Sequence, residues 1–199
     1  MSLNCQAIGR GWMGASAKLD QAAIVSAAFE VLNSTGLDGL SLRLVADRLG
    51  VQAPALYWHV HNKAELMSLM AATFSEAASR ANAAGKTWRE KLLLAGRARR
   101  EAMLKQRDSA RVCVIAQPTR SAEDVAPQLT APLVAVGLTA RLALSYQAAV
   151  IAYTVGWVAY EQSQAMHDYL TQLIDFDESF EAGLQAMVRG FAEAAAWNG

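Results

Sequence analysis

The stretch "LSLRLVADRLGVQAPALYWHVHNK", residues 40–63, decides the fold of this chain. Ser41 is a typical N-cap residue, and the apolar side chains after it recur at helical spacing until Gly50, a typical helix-ending glycine. Pro54 then suits the first turn of a second helix, where its missing N–H has no partner to lose. Two short helices joined by a turn of about 3–4 residues predict a helix-turn-helix, although a plain corner between two helices has the same pattern.

The same stretch places Tyr57, Trp58 and His59 side by side. Three large amphipathic side chains in a row cannot all face one core, because neighbouring residues of a helix point in different directions. At least one of them therefore points outward. Either it meets a partner, or the segment is an irregular loop.

Helical periodicity continues on both sides of this stretch. Asp20 is a plausible N-cap for a helix that Gly36 ends. Alanine is abundant and β-branched residues are sparse, which favours helices. Further helices are predicted at Lys63–Ala83, Trp88–Gln106, Thr139–Gln164 and Phe180–Trp197. Another is predicted to start at Ser121 as N-cap and to continue through Leu129–Val136 to Gly137. The sequence thus predicts an all-α fold, with an N-terminal three-helix unit and a C-terminal helical bundle.

Composition sets the outer bounds on function. The net charge of the 199 residues is zero, which argues against a general polyanion binder. In residues 1–70 the cations number five, Arg10, Lys18, Arg43, Arg48 and Lys63, and the acids number five, Asp20, Glu30, Asp38, Asp47 and Glu65. The apolar run 148–160 is shorter than the roughly 20 residues of a membrane span, so no membrane partner is predicted. No signal peptide is evident and there are two cysteines, so we expect a reducing cytoplasm.

An all-α metalloenzyme is the alternative from a different functional class. His59 and His61 are two residues apart and would diverge by about 200° on a helix, so they would not chelate one metal ion. His167 is followed by Asp168, but the chain has no HExxH motif and no spacing typical of a Ser/His/Asp triad. We therefore expect no enzyme activity, no metal site and no cofactor.

Residues 19–71 closely resemble the DNA-binding domain of the tetracycline repressor (TetR) family. The string "LYWHVHNK" followed by a long helix is typical of the subgroup around the tetracycline repressor, and weaker likeness continues through "RDSARV" (107–112) and "QPT" (117–119). The resemblance implies a homodimeric repressor that binds palindromic double-stranded operator DNA in successive major grooves and is released by a small-molecule effector. The alternative is a DNA-binding protein that is constitutive or controlled by a protein partner.

This resemblance divides the chain into three parts and assigns the DNA contacts. The parts are a flexible arm at 1–18, a helix-turn-helix domain at 19–66, and a ligand-binding and dimerisation domain at 67–199. Arg43 suits a bidentate guanine contact, and Trp58 is expected to be a partly buried anchor. Ala53 and Ala55 stand where the tetracycline repressor has polar residues, so a different operator is expected. The predicted DNA-binding residues are Ser41, Arg43, Gln52, Ala53, Pro54, Ala55, Tyr57, Trp58, His59 and Lys63.

The resemblance also implies a ligand pocket in the body. Cys113 stands where the subgroup has a metal-ligating histidine, and Mg²⁺ prefers oxygen ligands, so tetracycline–magnesium is not expected as the effector. Cys113 is read as a small buried hydrophobe rather than a redox sensor. If Arg99 points inward, it favours an anionic or carbonyl-bearing ligand; if the arginines of 97–107 form a solvated face, it does not. The predicted pocket residues are Ala95, Arg99, Cys113, Leu129, Leu144, Gln147 and Ile151.

The helix predicted at 139–164 has two apolar stripes, so it must be buried on two sides. The stripe Leu144, Gln147, Ala148, Ile151, Val155 and Val158 is assigned to the core and pocket, and the other stripe to the dimer seam. The alternative is that both stripes are ordinary intramolecular core. The predicted dimer-interface residues are Tyr146, Val150, Tyr153, Trp157, Leu184, Met187 and Phe191.

Overall fold

A computed structural model describes residues 19–197, and the predicted flexible arm at 1–18 lies outside the described residues. Within that range the chain is all-α, as predicted, with ten helices and no strand. The helices are α1 (Gln21–Gly39), α2 (Leu42–Leu49), α3 (Ala53–Tyr57), α4 (Lys63–Asn82), α5 (Trp88–Leu104), α6 (Ser109–Ile115), α7 (Ala122–Val134), α8 (Ala140–Gln162), α9 (Gln164–Leu170) and α10 (Phe176–Trp197).

The helix-turn-helix forms with the predicted caps. The carboxylate of Asp20 accepts a hydrogen bond from the N–H of Ala23 at 2.8 Å, and the hydroxyl of Ser41 accepts one from the N–H of Leu44 at 3.3 Å. Gly50 ends α2 in the left-handed region, with φ +69° and ψ +26°, a conformation that costs glycine little. Pro54 lies in the first turn of α3, as the missing N–H of proline allows.

Gly36 produces a sharp change of direction near the end of α1. Its backbone has φ +73° and ψ +175°, a region that only glycine enters readily, and a short helical segment follows it as far as Gly39. The sequence predicted that Gly36 ends the helix; the structure has a kink at Gly36, with helix on both sides of it. The short segment after it carries Leu37 and Leu40 into the core of the N-terminal unit.

The core has two main parts, which define a head and a body. The head core is formed by side chains of α1 to α4, including Ile24, Leu32, Val45, Leu56 and Leu66, with Val112 of α6 packed beneath them. The body core is formed by α5, α7, α8 and α10. The domain boundary predicted from the sequence, between residues 66 and 67, falls inside the continuous helix α4. Met67 and Met70, which follow that boundary, still belong to the head core.

Helix α8 is the central helix of the body. It is long and apolar enough to cross a membrane by length and composition, the one such helix among the described residues. In the structure it instead packs against α5, α6, α7, α9 and α10. Its buried face is Ala143, Tyr146, Val150, Thr154 and Val158. This face runs between the two stripes predicted from sequence, so each stripe is only partly buried.

Two helices were not predicted from the sequence, and both lack a side-chain cap. Helix α6 follows Asp108, whose φ of +53° places it in the left-handed region, and α9 begins directly after α8 at Ser163. Asp108 and Ser163 are typical N-cap residue types, but each helix is only seven residues long, so helical periodicity gives a weak signal. Helix α7 accommodates Pro127 and Pro132 in its interior, residues that usually indicate a break.

Candidate DNA-binding surface and ligand cavity

The side chains of α3 and the following turn divide cleanly into an inner and an outer set. Leu56 and Val60 are buried in the head core, whereas Gln52, Pro54, Ala55 and His59 are exposed, and Ala53 is half-buried. The outer set is thus available to a partner along one continuous surface. We call the exposed residues of 52–59, together with Arg43, the head surface.

Trp58 was expected to be a partly buried anchor, and this is wrong: 85% of its surface is exposed. The reason is that the chain turns directly after α3, where Leu56 and Val60 take the inward positions. Tyr57 is also exposed, at 48%. Two neighbouring aromatic side chains in water form an exposed apolar patch of the kind that marks a binding surface.

Arg43 is the most available cation of the head. It is exposed in the first turn of α2, and among the described residues it has no ion pair or side-chain hydrogen bond. Arg48, by contrast, pairs with Glu30 at 3.2 Å. The ammonium of Lys63 donates to the carbonyl oxygen of Leu37 at 2.8 Å, so it also stabilises the end of α1. A free guanidinium at this position can meet a base edge or a phosphate.

The body contains a narrow cavity between α4, α5, α7 and α8, with a volume of about 40 Å³. Five predicted pocket residues line it: Ala95, Arg99, Leu129, Gln147 and Ile151. The remaining lining residues are Ser75, Ala78, Ser79, Asn82, Leu92 and Val150. Two predicted residues are not among them: Leu144, which is exposed on α8, and Cys113, which packs against a small cluster at Phe74 and Met103.

Arg99 points into the molecule rather than into solvent. Only 8% of its surface is exposed, and its one side-chain hydrogen bond among the described residues joins Nη1 to the Oγ of Ser75 at 3.3 Å. No described carboxylate lies within ion-pair distance, and burial lowers the pKa of its guanidinium. On the same wall, Oε1 of Gln147 is buried with no hydrogen-bond partner in the described chain.

Two other arginines of α5, Arg97 and Arg100, have carboxylate partners. Arg100 is mostly buried and pairs with Glu161 at 2.8 Å and Asp177 at 2.6 Å, and Arg97 pairs with Glu181. The alternative of a solvated arginine face therefore does not describe Arg99 or Arg100. It does describe Arg107 and Lys105, which are both exposed just after α5; Lys105 pairs with Glu101.

Cys113 is a partly buried free thiol close to Arg99. Burial raises the pKa of this thiol to about 11, and the charge of Arg99 opposes that rise only in part. A thiol of such high pKa holds little reactive thiolate at neutral pH. This agrees with the expectation of a small buried hydrophobe.

The predicted dimer residues lie mainly inside the single chain. Tyr146, Val150 and Leu184 are buried in the body core, and the ring of Tyr146 stacks on Phe191 with centroids 4.1 Å apart. The hydroxyl of Tyr153 donates to the carbonyl of Phe180 at 2.9 Å. Trp157, Met187 and Phe191 are half-buried against the same core. Three of the seven residues are thus core of the single chain, whereas the other four keep part of their surface exposed, and the dimer seam stays a prediction.

A polar junction that the sequence did not predict joins the head to the body. The N–H of Leu37 donates to Oδ2 of Asp108 at 2.8 Å, and the N–H of Arg107 donates to Oδ1 of Asn33, also at 2.8 Å. Nε2 of Gln162, at the end of α8, donates to the carbonyl of Gln106 at 2.7 Å. The kink at Gly36 is thus tied through residues 106–108 to the helix that lines the cavity. No local sequence motif indicates these contacts, because they join residues more than 50 positions apart.

The described residues assemble no group of three or more His, Cys, Asp or Glu side chains that suits a metal ion. His59 and His61 are both exposed beside the head surface, and His167 stacks on Phe176 at 5.2 Å.

Two family models match the chain. "Bacterial regulatory proteins, tetR family" covers residues 24–70, and "Tetracyclin repressor-like, C-terminal domain" covers residues 81–169. The first match spans the head, and the second spans α5 to α8 with most of α9.

Individual proteins agree with these matches. The chain is 31% identical to the tetracycline repressor protein class D of Escherichia coli, over 88% of this chain and 90% of that one. The crystal structure of TetR from Acinetobacter baumannii AYE superposes with a TM-score of 0.71 at 32% identity, over 89% of this chain and 98% of that one. That of TetR class A with 5a,6-anhydrotetracycline and magnesium has a TM-score of 0.68 at 32% identity, over 88% and 99%.

Proposed function

The chain belongs to the tetracycline repressor (TetR) family of bacterial regulatory proteins, and on this basis we propose that it is a cytoplasmic repressor, released from its operator by a small molecule. It binds a palindromic site as a homodimer, with one head in each of two successive major grooves. The observation that carries the proposal is the head surface. Arg43, Tyr57 and Trp58 are all exposed there, on a helix-turn-helix whose inner face is fully packed.

Base recognition rests on few polar groups. Arg43 donates to a guanine and Gln52 suits an adenine, while Ala53 and Ala55 offer only apolar contact, as to a thymine methyl group. Tyr57, His59 and Lys63 reach phosphates. Because residues 1–70 carry as many acids as bases, few phosphate charges are neutralised. The salt dependence of binding is therefore shallow, at roughly 0.9 log unit per phosphate contact.

The homodimer is supported by an exposed stripe of small side chains on α8. Ala148, Ala152, Gly156 and Ala159 lie on the side opposite the buried face, and Ala186 and Gly190 are exposed on α10. Small residues let two helices approach closely, which favours packing of α8 and α10 against their counterparts in a second chain. We place the dimer seam on this stripe, beside the side chains of Tyr153 and Trp157 rather than on them.

The effector differs from tetracycline–magnesium. The relative crystallised with 5a,6-anhydrotetracycline holds magnesium as well, but in this chain the one charged residue lining the cavity is Arg99. A guanidinium repels a divalent cation, and the cavity offers no carboxylate or imidazole to bind one. An effector that enters here is therefore free of metal.

A second candidate function, a DNA-binding regulator without a small-molecule effector, is favoured by the small size of the cavity. The cavity of about 40 Å³ is far smaller than the roughly 300–1,000 Å³ of most small-molecule sites. A regulator that stays on its operator, or that answers to a protein partner, needs no larger space. Under our proposal the cavity widens on binding, between the exposed residues at its mouth, Ser75, Ser79 and Leu129.

Selection of bound DNA from a random pool, followed by a screen of small molecules for release, tests the proposal. We expect an enriched palindrome, and Arg43→Ala should lower its affinity by about 1–3 kcal/mol and relax one base position. Arg48→Ala, on the same helix but paired with Glu30, is the matched control and should leave the sequence preference unchanged. Release by no compound, with operator binding intact, would favour the second function.

A further inference from the structure

Two buried polar groups of opposite hydrogen-bonding character line the body cavity, Arg99 from α5 and Gln147 from α8. The guanidinium of Arg99 has N–H donors beyond the single bond to Ser75, and no described carboxylate balances its charge. Oε1 of Gln147 is an acceptor without a partner in the described chain. Unpaired polar groups are costly in a protein interior, so a pair of them beside an empty space needs an explanation.

We propose that the cavity binds the carboxylate end of a small hydroxy acid. The guanidinium of Arg99 holds the carboxylate through charge-assisted hydrogen bonds, and Oε1 of Gln147 accepts the hydrogen bond of the neighbouring hydroxyl group. This assignment rests on the proposed function, because it names the chemical class of the effector for the same cavity.

The remaining lining of the cavity fits such a ligand. Leu92, Val150 and Ile151 are apolar and suit a short hydrocarbon chain, and no lining residue is acidic. A volume of about 40 Å³ holds only a few non-hydrogen atoms, because a single water already needs about 10–15 Å³. The closed cavity therefore admits the acid end itself, while a longer tail would extend past the exposed residues Ser75 and Ser79.

The first test needs no ligand. A buried guanidinium with no carboxylate partner destabilises the fold, so replacing Arg99 by an apolar side chain of similar length should stabilise the protein. We expect Arg99→Met to raise the midpoint of thermal unfolding by a few degrees. Arg89→Met makes the same change at an exposed position of α5 and should have little effect. A clear fall of the midpoint in Arg99→Met would mean that Arg99 is structural, and would overturn the proposal.

The second test uses three probes at about 20 mM and constant ionic strength: glycolate, acetate, which lacks the hydroxyl, and glycolamide, which lacks the charge. Ligand binding to the folded state raises the unfolding midpoint, by about 4–7 °C for a ligand with a Kd of about 1 mM at this concentration. We expect the largest rise with glycolate, a smaller one with acetate and none with glycolamide. Arg99→Met should abolish the rise, and Gln147→Leu should reduce the glycolate value to the acetate value.

Three outcomes overturn the proposal: no rise with glycolate, a rise that persists in Arg99→Met, or an equal rise with glycolamide. Failure of the proposed function would look different. In that case no DNA would be enriched from a random pool, by the wild-type chain or by either variant. If operator DNA is enriched but the probes fail, the regulator stands and only the hydroxy-acid assignment falls.

Discussion

Leu56 and Trp58 are large side chains two positions apart, yet 1% of the first and 85% of the second is exposed. Helical spacing alone predicts that the two diverge, and it indicates Leu56 as the inner one. The near-complete exposure of Trp58 depends on where α3 ends, which the sequence did not define. A tryptophan in water contributes no packing to the head core, so its exposure fits the DNA contact proposed for the head surface.

Trp58→Ala should therefore separate stability from binding. We expect the free energy of unfolding to stay within about 0.5 kcal/mol of the wild-type value, because no core contact is lost. The affinity for the selected operator should fall by more than about 1 kcal/mol. Leu56→Ala is the contrasting variant and should cost about 2–5 kcal/mol of stability. If Trp58→Ala destabilised the fold as strongly as Leu56→Ala, the exposed position of Trp58 would be wrong.

Cys113 supplies a prediction about pH. Burial raises the pKa of its thiol to about 11, because the charged thiolate is poorly solvated there, so only about 0.1% is thiolate at pH 8. In a Cys5→Ser background, the rate of alkylation by iodoacetamide should rise about tenfold per pH unit from pH 7 to pH 10 without levelling off. A plateau near pH 8.5, typical of a free cysteine, would contradict the burial of this thiol.

At the scale of the helices, the elements with strong local signals were predicted correctly. Asp20 and Ser41 cap helices as expected, and Gly50 ends one. The failures have a common cause: α6 and α9 are only seven residues long, too short to show a clear helical periodicity, although Asp108 and Ser163 at their starts are typical N-cap residue types. Helix α8 adds a second cause, because Thr154 lies on the buried face with its hydroxyl bonded to the carbonyl of Val150. A count of apolar residues misses such a position.

The candidate site also has a part that a local sequence motif predicts, the head surface, and a part that no local motif predicts, the cavity. Residues 52–59 follow from a motif that is local in sequence, so the head surface was predicted except for the exposure of Trp58. The cavity joins α4, α5, α7 and α8, and its members came from resemblance; Ser75, Ser79 and Asn82 were missed because nothing local points to them. The junction at Asp108 was also missed, since its partner Leu37 is 71 positions away.

The kink in α1 can be tested with two glycines. Gly36→Ala should cost about 1–3 kcal/mol of stability, because φ +73° with ψ +175° is open only to glycine. An added Cβ would also lie 3.1 Å from Nη2 of Arg107. Gly36→Asn should lower the stability as much as Gly36→Ala does.

Gly50 is the matched control for this experiment, because its φ and ψ are those of a left-handed helix, with open space around it. Gly50→Asn should cost less than Gly50→Ala, since asparagine tolerates that region. Equal effects of alanine and asparagine at both positions, measured by denaturant unfolding, would contradict the distinction between the two backbone conformations.

At the scale of the whole molecule, one face of α8 and α10 has no neighbouring helix within the described residues. A glutamate placed on that face would stay solvated in a monomer but would be buried in a dimer. Ala152→Glu should therefore give a folded monomer, measured by sedimentation, with much weaker operator binding. Ala84→Glu, an exposed alanine in the turn between α4 and α5, should remain dimeric. Dimers of unchanged strength in Ala152→Glu would place the seam elsewhere.

The central claim is that two copies of the head read one symmetric DNA site. The most direct measurement is the titration of the selected operator, and of a scrambled duplex of equal length, with the purified protein at a single stated salt concentration. We predict two chains per operator, with half-sites about 10 base pairs apart, and an affinity at least about 10³-fold above that for the scrambled duplex. Equal affinity for the two duplexes, or saturation at one chain per site, would contradict the account.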